Sequence, residues 1–559
     1  MPRIPKRKRI GCNDHKGIVH IANQRKTVGL FVHRNLYHPN LQHCAHSSLN
    51  LSMLKKMFFF FLTAQIYAQT IPVGRPDFSE ERLRNQQLIS GATYSFTIRP
   101  ISDSAATGLL PATVLNQLNT YAPLGWNDGA MIPAKGLQTY LTAGFFTHYK
   151  GLSLQLMPEF VYAENRDFGT FSLQGPQRAP MLVLWNSTDI PERFGTSAYS
   201  RFRLGQSALR LSSRSVSVGI STENLWWGPG FRNSLLLSNN APGFLHGTFN
   251  SVKPLKTFLG SFEFQLIGGR LEGSGVQPLA SDYIVNGINY LEPKSTDARY
   301  ISALTLNYQP RWVPGLFLGF SRAFHLYTSD MGSGLTDVFP FLLPFEKKNL
   351  PLEDAKRRDQ LASLNVRWVF PASHVELYGE LGYNDYKNSF WDWLTSMEHS
   401  RAYILGLRKV FKQSSGRYIR LALENTTLEM TADRLVRNNG PWYRHDFVRH
   451  GYTNEGQVLG AGIGPGSNLQ TFDLAFVRPA SIAGFSIERY AHNMDYYYDA
   501  FKTYDAKWVD LMWGGYYQRR IQAYSLTAKL NFAWMRNYQW VLDQHVLNAQ
   551  LQLSATRYF

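Results

Sequence analysis

The chain has 559 residues, of which 14% are aromatic and 44 are glycine, yet its mean hydropathy is −0.26. Many aromatics under a polar average suit sheets that are greasy on one face and wet on the other, and no apolar run reaches the roughly 18 residues of a spanning helix. The net charge of +18 comes with no basic stripe and interleaved aromatics, so a nucleic-acid partner is not expected.

Part of that charge sits at the front. Residues 1–52 hold nine Lys/Arg against one acid, six of the fifteen histidines and both cysteines, Cys12 and Cys44. They show no hydrophobic period. Residues 53–70, "MLKKMFFFFLTAQIYAQT", place two lysines before an apolar core, Met57 to Leu62, and a small residue, Ala68, further on. That is a secretory signal, too short to span a membrane. The expected start is therefore Met53, with residues 1–52 an over-extended upstream segment, 53–68 the signal peptide and Gln69 the first mature residue. The mature chain then has no cysteine, which excludes a disulfide framework, a thiolate metal site, a cysteine nucleophile and a lipoprotein anchor.

Residues 69–124 read as one short helix followed by strand-like alternation, ahead of a β-barrel expected over 125–559. From there the period is two. Val216, Val218 and Ile220 alternate with serines. Phe262, Phe264 and Leu266 oppose Glu263 and Gln265; Tyr300, Ser302, Leu304, Leu306 and Tyr308 oppose Thr305 and Asn307. Ala362, Leu364, Val366 and Trp368 oppose Ser363, Asn365 and Arg367, and Val375, Leu377, Gly379, Leu381 and Tyr383 oppose Glu376, Tyr378 and Glu380. "YSLTAKLNFAW" (524–534) repeats the pattern. The last stretch, "LNAQLQLSATRYF" (547–559), ends on an aromatic carboxy-terminal residue, Phe559, as closing strands of bacterial outer-membrane barrels do. Tyr or Trp brackets the apolar stripes, and charges sit mid-strand on the other face. With the signal peptide, this predicts an all-β, transmembrane antiparallel barrel, since closed barrels and helices alone satisfy every backbone group in lipid. Residues 163–200, 271–298 and 328–358 read as long loops or inward-folded plugs, the last with a short helix.

Three features invite a chemical reading. "GAGIGPG" carries Gly460, Gly462, Gly464 and Gly466 in alternation. It lacks the strand–turn–helix context of a dinucleotide site; on an extended strand it is a bald stripe against which another segment or a ligand can pack. Glu376 and Glu380 share a face and raise a glycosidase reading, against a polar lumen in which they pair with Arg367 or Arg420. Finally "ENLWWGPGFRNSLLLSNNAPG" (223–243) puts Trp226 and Trp227 on opposite sides of a chain that Gly228-Pro229-Gly230 must turn. One indole is expected in the wall or at the membrane interface and the other inward, with Leu235 to Leu237 packed in the lumen. Asn239 and Asn240 then cap the turn, or bond a sugar stacked on indole.

This last stretch resembles the WWGPG…SLLLSNNA signature of the Wzi-type capsule assembly proteins of Gram-negative outer membranes. "NDGAMIPAKGLQ" (127–138), "RRDQLASLNVRWVFPASHVELYGELGYND" (357–385), "HSRAYILGLRKVF" (399–411) and "HGYTNEGQVLGAGIGPGSN" (450–468) are similar to the same family. The resemblance implies about eighteen strands, a plug on the outer side, and a lectin-like role in retaining capsular or other surface polysaccharide. Enteric relatives carry a helical bundle before the barrel; residues 69–125 are too poor in helical pattern for one. The expected protein is non-catalytic, without metal or cofactor, with surface polysaccharide, outer-membrane lipid and the barrel-assembly machinery as partners. The candidate ligand residues are Trp226, Trp227, Asn239, Asn240, Glu376 and Glu380. A channel for oligosaccharides is the competing class, and an enzyme acting on glycan or lipid a third.

Overall fold

The structure is a computed structural model that describes residues 68–104, 106–169, 178–278, 284–342, 357–384, 390–437, 440–501, 503 and 505–559. The upstream segment 1–52 and residues 53–67 of the signal segment lie outside the described residues.

Alternation along each strand gives two unlike faces, and closing the sheet puts one in lipid and the other in the lumen. Twenty-one strand segments form one closed antiparallel barrel. Three wall positions consist of two segments separated by a bend: Leu152–Leu156 with Glu159–Ala163, Tyr199–Arg203 with Ala208–Ser212, and His246–Ser251 with Leu255–Lys256. The wall therefore has 18 strands. It closes where Val546–Arg557 pairs with Gly108–Asn119, Leu551 opposite Leu118 and Arg557 opposite Ala112. On Asp359–Phe370, Leu364, Val366 and Trp368 are exposed on the outside while Ser363, Asn365 and Arg367 are buried inside. On Tyr524–Arg536, Leu526, Leu530 and Trp534 face out and Ser525 and Thr527 face in. Exposed aromatics frame the apolar band, with Tyr149, Trp312, Phe411 and Tyr524 at one end and Tyr121, Tyr162, Trp513 and Trp534 toward the other.

The wall begins at Gly108, ahead of the expected start at residue 125. Pro111 and a register shift between Leu110 and Thr113 interrupt the strand-like alternation expected there, which is why the sequence pattern does not join it to the barrel. Connections at one end are short, as at 149–152, 478–481 and 521–524, and those at the other are long, as at 221–246 and 427–468. Short turns on the periplasmic side and long loops outside are the arrangement of outer-membrane barrels.

Two segments fill the lumen from opposite ends. At the turn end lies the N-terminal segment, in which Ala68–Ile71 pairs with Ile101–Ser104 around a helix, Ser79–Ser90. This helix has almost no apolar face, which suits a lumen lined by charge rather than a greasy core. Its Glu81 receives Arg408 at 2.8 Å and Arg420 at 2.8 Å. Burial opposes that charge, but the two arginines hold the carboxyl well below the usual range. Its Arg84 donates to Glu376 at 3.0 Å and to the Pro229 carbonyl at 2.6 Å. The Leu88 carbonyl meets His374, in a short turn, at 3.0 Å.

From the loop end the chain between Ser221 and His246 descends into the barrel, and Trp226–Trp227 pairs antiparallel with Ile98–Arg99. "GAGIGPG" corrects the extended-strand expectation: it runs through consecutive turns, with Gly464 and Gly466 at φ of +78° and +62°. Residues 163–200, read as loop, contain a helix, Arg178–Ser187, packed against a second, Met494–Ala500, through Met181, Leu182, Trp185, Met494 and Tyr497. Within 328–358 the described part holds a one-turn helix, Leu335–Val338.

Candidate functional site

The tryptophan pair lies in the middle of the lumen. Trp226 is 4% exposed and Trp227 0%, so neither reaches lipid, and the membrane-interface expectation is corrected. Both indoles are held by lumen chemistry. Trp227 donates from Nε1 to Gln265 at 2.9 Å, and Gln265 projects inward from the wall strand Gly260–Leu271. Trp226 lies under Arg99, whose guanidinium is 4.3 Å from the ring centre. Gly228 adopts φ of +145°, and a Cβ there would lie 2.7 Å from Glu380, so glycine is required where the chain turns beside the wall. Leu235, Leu236 and Leu237 are buried in the largest apolar cluster, as the sequence led one to expect.

The tip of this loop is gripped by a residue the sequence reading missed. Glu424 accepts the N–H groups of Phe231 at 2.7 Å, Arg232 at 3.2 Å and Asn233 at 2.8 Å, and the Tyr378 hydroxyl at 2.9 Å. A carboxylate collecting backbone donors is a strong anchor. Because the donors are backbone, no side-chain motif announced it.

The asparagines do not cap their own turn; each joins the loop to a different neighbour. Asn239 donates to the Asn127 carbonyl at 2.8 Å, and Asn240 to the Val458 carbonyl at 2.9 Å. The glycine turns make this contact close: a Cβ on Gly460 would lie 2.2 Å from the Leu235 carbonyl, and one on Gly462 2.4 Å from the Asn240 amide. Only bare backbone fits there.

Glu376 and Glu380 face the lumen, 0% and 1% exposed. Four residues along a strand separate them by roughly 13 Å of backbone, beyond the span of a glycosidase pair. Glu376 is paired with Arg367 at 3.0 Å and with Arg84. Arg420, the other expected partner, is committed to Glu81 and Asp473. Glu380 accepts the Leu235 N–H at 3.3 Å. Both carboxylates thus hold the plug.

Open space with binding character occurs higher up, at the loop end, in a cavity of about 320 Å³. Its floor is plug: Trp126, Asn240 and Gly462 to Pro465. Its walls come from separate loops and strand ends, with Trp185 from the helix Arg178–Ser187, then Glu192, Tyr490, Trp508, Tyr538 and Trp540. The rings brace one another. His492 stacks on Trp508 at 3.7 Å, and Trp540 meets Trp508 edge-on at 5.1 Å. Asp510 accepts from both, 2.7 Å from His492 Nε2 and 2.7 Å from Trp508 Nε1. Burial pushes the Glu192 carboxyl up to about 7, with no cation or hydrogen bond opposing it. Such a chamber can hold a ring with apolar faces against indole and offer carboxylates and amides to its hydroxyls. Of the six candidate ligand residues only Asn240 borders it, together with Gly462 and Gly464 of the glycine stretch.

The family model of the capsule assembly protein Wzi matches residues 112–474. The chain belongs to the Wzi capsule assembly family. The solved structure of Wzi from Escherichia coli, described as an outer-membrane protein involved in group 1 capsule assembly and a carbohydrate-binding β-barrel, is similar to the chain at a TM-score of 0.57. At 12% identity the likeness covers 87% of this chain and 98% of that one, and it is a likeness of fold. OccK7 of Pseudomonas aeruginosa (9% identity, 81% and 99% covered, TM-score 0.38) and OccAB4 of Acinetobacter baumannii (10%, 80% and 98%, 0.37) resemble it more loosely. No curated protein matches. The Wzi family match spans the tryptophan motif, the glycine turns and Glu424, which are the parts that assemble the plug, and stops short of Tyr490, Trp508 and Trp540 on the cavity wall.

Proposed function

We propose that this Wzi-family barrel is a non-catalytic outer-membrane lectin that retains capsular or other surface polysaccharide, and that the glycan is held in the loop-end cavity. The observation that carries this reading is the aromatic chamber of about 320 Å³ set on a lumen filled from both ends. A concave site with stacked indoles and a few convergent polar groups suits a sugar ring, and the long loops that build it face outward in barrels of this class. The tryptophan motif then serves the floor: Trp226, Trp227, Asn239, Glu376 and Glu380 hold the plug, and Asn240 touches both plug and ligand. A channel is disfavoured by the same filling, and a hydrolase by the engagement of Glu376 and Glu380 with the plug.

Delivery completes the proposal. Translation from Met53 and cleavage after Ala68 release a chain that the barrel-assembly machinery inserts into outer-membrane lipid; N-terminal peptide mass spectrometry of the membrane protein tests this, and peptides from residues 1–52 would overturn it. For function, the test is surface polysaccharide in a deletion strain against its parent. The proposal expects polysaccharide made in normal amount but shed into the medium; unchanged retention contradicts it.

A further inference from the structure

The chain is strongly basic as a whole, yet its loop-end cavity is not. Among the described residues, no lysine or arginine lines it, while two carboxylates do, Glu192 and Asp510. Asp510 is occupied by His492 and Trp508. Glu192 has no such partner; the ionisable groups whose charge bears on it are Tyr496 and Tyr538, both neutral at physiological pH. The cations next to its lining are held by other groups: Arg232 covers the Trp126 ring at 4.3 Å and is bound through two hydrogen bonds, at 2.7 and 2.9 Å, to Glu488, and Lys294 donates to the Trp185 and Arg449 carbonyls. Other arginines are drawn down to the turn end, where Arg84, Arg367, Arg408 and Arg420 neutralise Glu81, Glu376 and Asp473.

We propose that this cavity takes a pyranose unit bearing no acidic group, its ring against the indoles and its hydroxyls donating to Glu192. The inference rests on the lectin reading above and adds the charge class of the sugar. A uronic acid or phosphorylated sugar entering here leaves water for a chamber that has two carboxyl groups and, besides the His492 that Asp510 already holds, no basic side chain, which costs desolvation and adds like-charge repulsion wherever those carboxyls are ionised. An uncharged pyranose meets neither cost, presents an apolar C–H face to tryptophan, and gains hydrogen bonds to the Glu192 carboxyl, which has no other partner among the described residues. Where the host polysaccharide contains acidic residues, the cavity selects a neutral unit or chain end among them.

The test uses surface polysaccharide extracted from the source strain, before and after carbodiimide–borohydride reduction of its carboxylates, with binding to the detergent-purified full-length protein read by tryptophan fluorescence. The inference expects equal or tighter binding after reduction, and about a tenfold loss in Glu192→Gln, whose fold is checked by heat-modifiable mobility. A tenfold or greater loss on carboxyl reduction overturns the charge assignment while leaving the lectin reading intact. Wild-type affinity in folded Glu192→Gln overturns the role of Glu192. If the unreduced polysaccharide does not bind the wild type at all, the lectin reading itself fails.

Discussion

Arg99 and Trp226 are β-partners, and the Arg99 guanidinium lies 4.3 Å from the centre of the Trp226 ring. The stack joins a segment from the turn end to a loop from the opposite end. Each is short and polar in places; together they fill the lumen.

The two tryptophans are predicted to respond differently to conservative change. Trp227 gives its N–H to Gln265, whereas the Trp226 Nε1 is buried without a hydrogen-bond acceptor among the described residues. Trp227→Phe should cost about 1 kcal/mol or more, leaving the Gln265 carbonyl unsatisfied, and Trp226→Phe less. Alanine at either position should cost roughly 3–5 kcal/mol and lower barrel yield. Thermal unfolding in detergent measures both; equal losses for the two phenylalanine variants contradict the assignment.

Glu424 is predicted to govern the seal. It collects three backbone N–H groups at the loop tip, and Glu424→Ala removes the acceptor for all of them. The wild type should pass little current in a planar bilayer, and the variant should show intermittent openings. Steady conductance from the wild type favours a channel instead.

Glu376 sits between Arg84 and Arg367 with no exposure. Breaking a buried ion pair by removing one partner costs about 3–5 kcal/mol because the remaining charge is left uncompensated. Glu376→Ala should therefore destabilise the barrel by that order, while any folded fraction still binds polysaccharide. Chemical unfolding with a parallel binding assay separates the two; lost binding in well-folded protein would place Glu376 in the ligand site.

The wall was legible because lipid and lumen impose opposite demands on alternate residues. Leu364 and Arg367 could be assigned to faces without knowing their neighbours. The plug was legible only where its own sequence is unusual, as at Trp226 to Gly230. Arg84 was invisible because its partner, Glu376, is 292 residues away. The cavity was invisible because Trp126, Trp508 and Trp540 come from three connections and Trp185 with Glu192 from a fourth, and no local spacing marks them as one chamber. The first wall strand was legible as strand-like pattern but not as part of the barrel, because its register shift interrupts the alternation.

The Glu192 carboxyl is raised to about 7 by burial, from an ordinary value of 4.5. Between those values the unfolded chain has lost its proton and the folded one keeps it, so this residue's contribution to stability falls as pH rises from about 4.5 to about 7. Glu192→Gln should thus be more stable than wild type by roughly 1–3 kcal/mol at pH 8 and little different at pH 4. Melting curves at the two pH values decide it; a difference independent of pH contradicts the burial account.

The central claim is that glycan is held at the loop-end cavity and that the tryptophan motif beneath it is structural. The most direct measurement is binding of the source strain's surface polysaccharide to purified, heat-modifiable protein carrying either Trp540→Leu in the cavity or Trp226→Phe in the plug. The account predicts that the cavity variant loses most of its affinity and the plug variant keeps it. The reverse order, with binding lost only when Trp226 is changed, would contradict it.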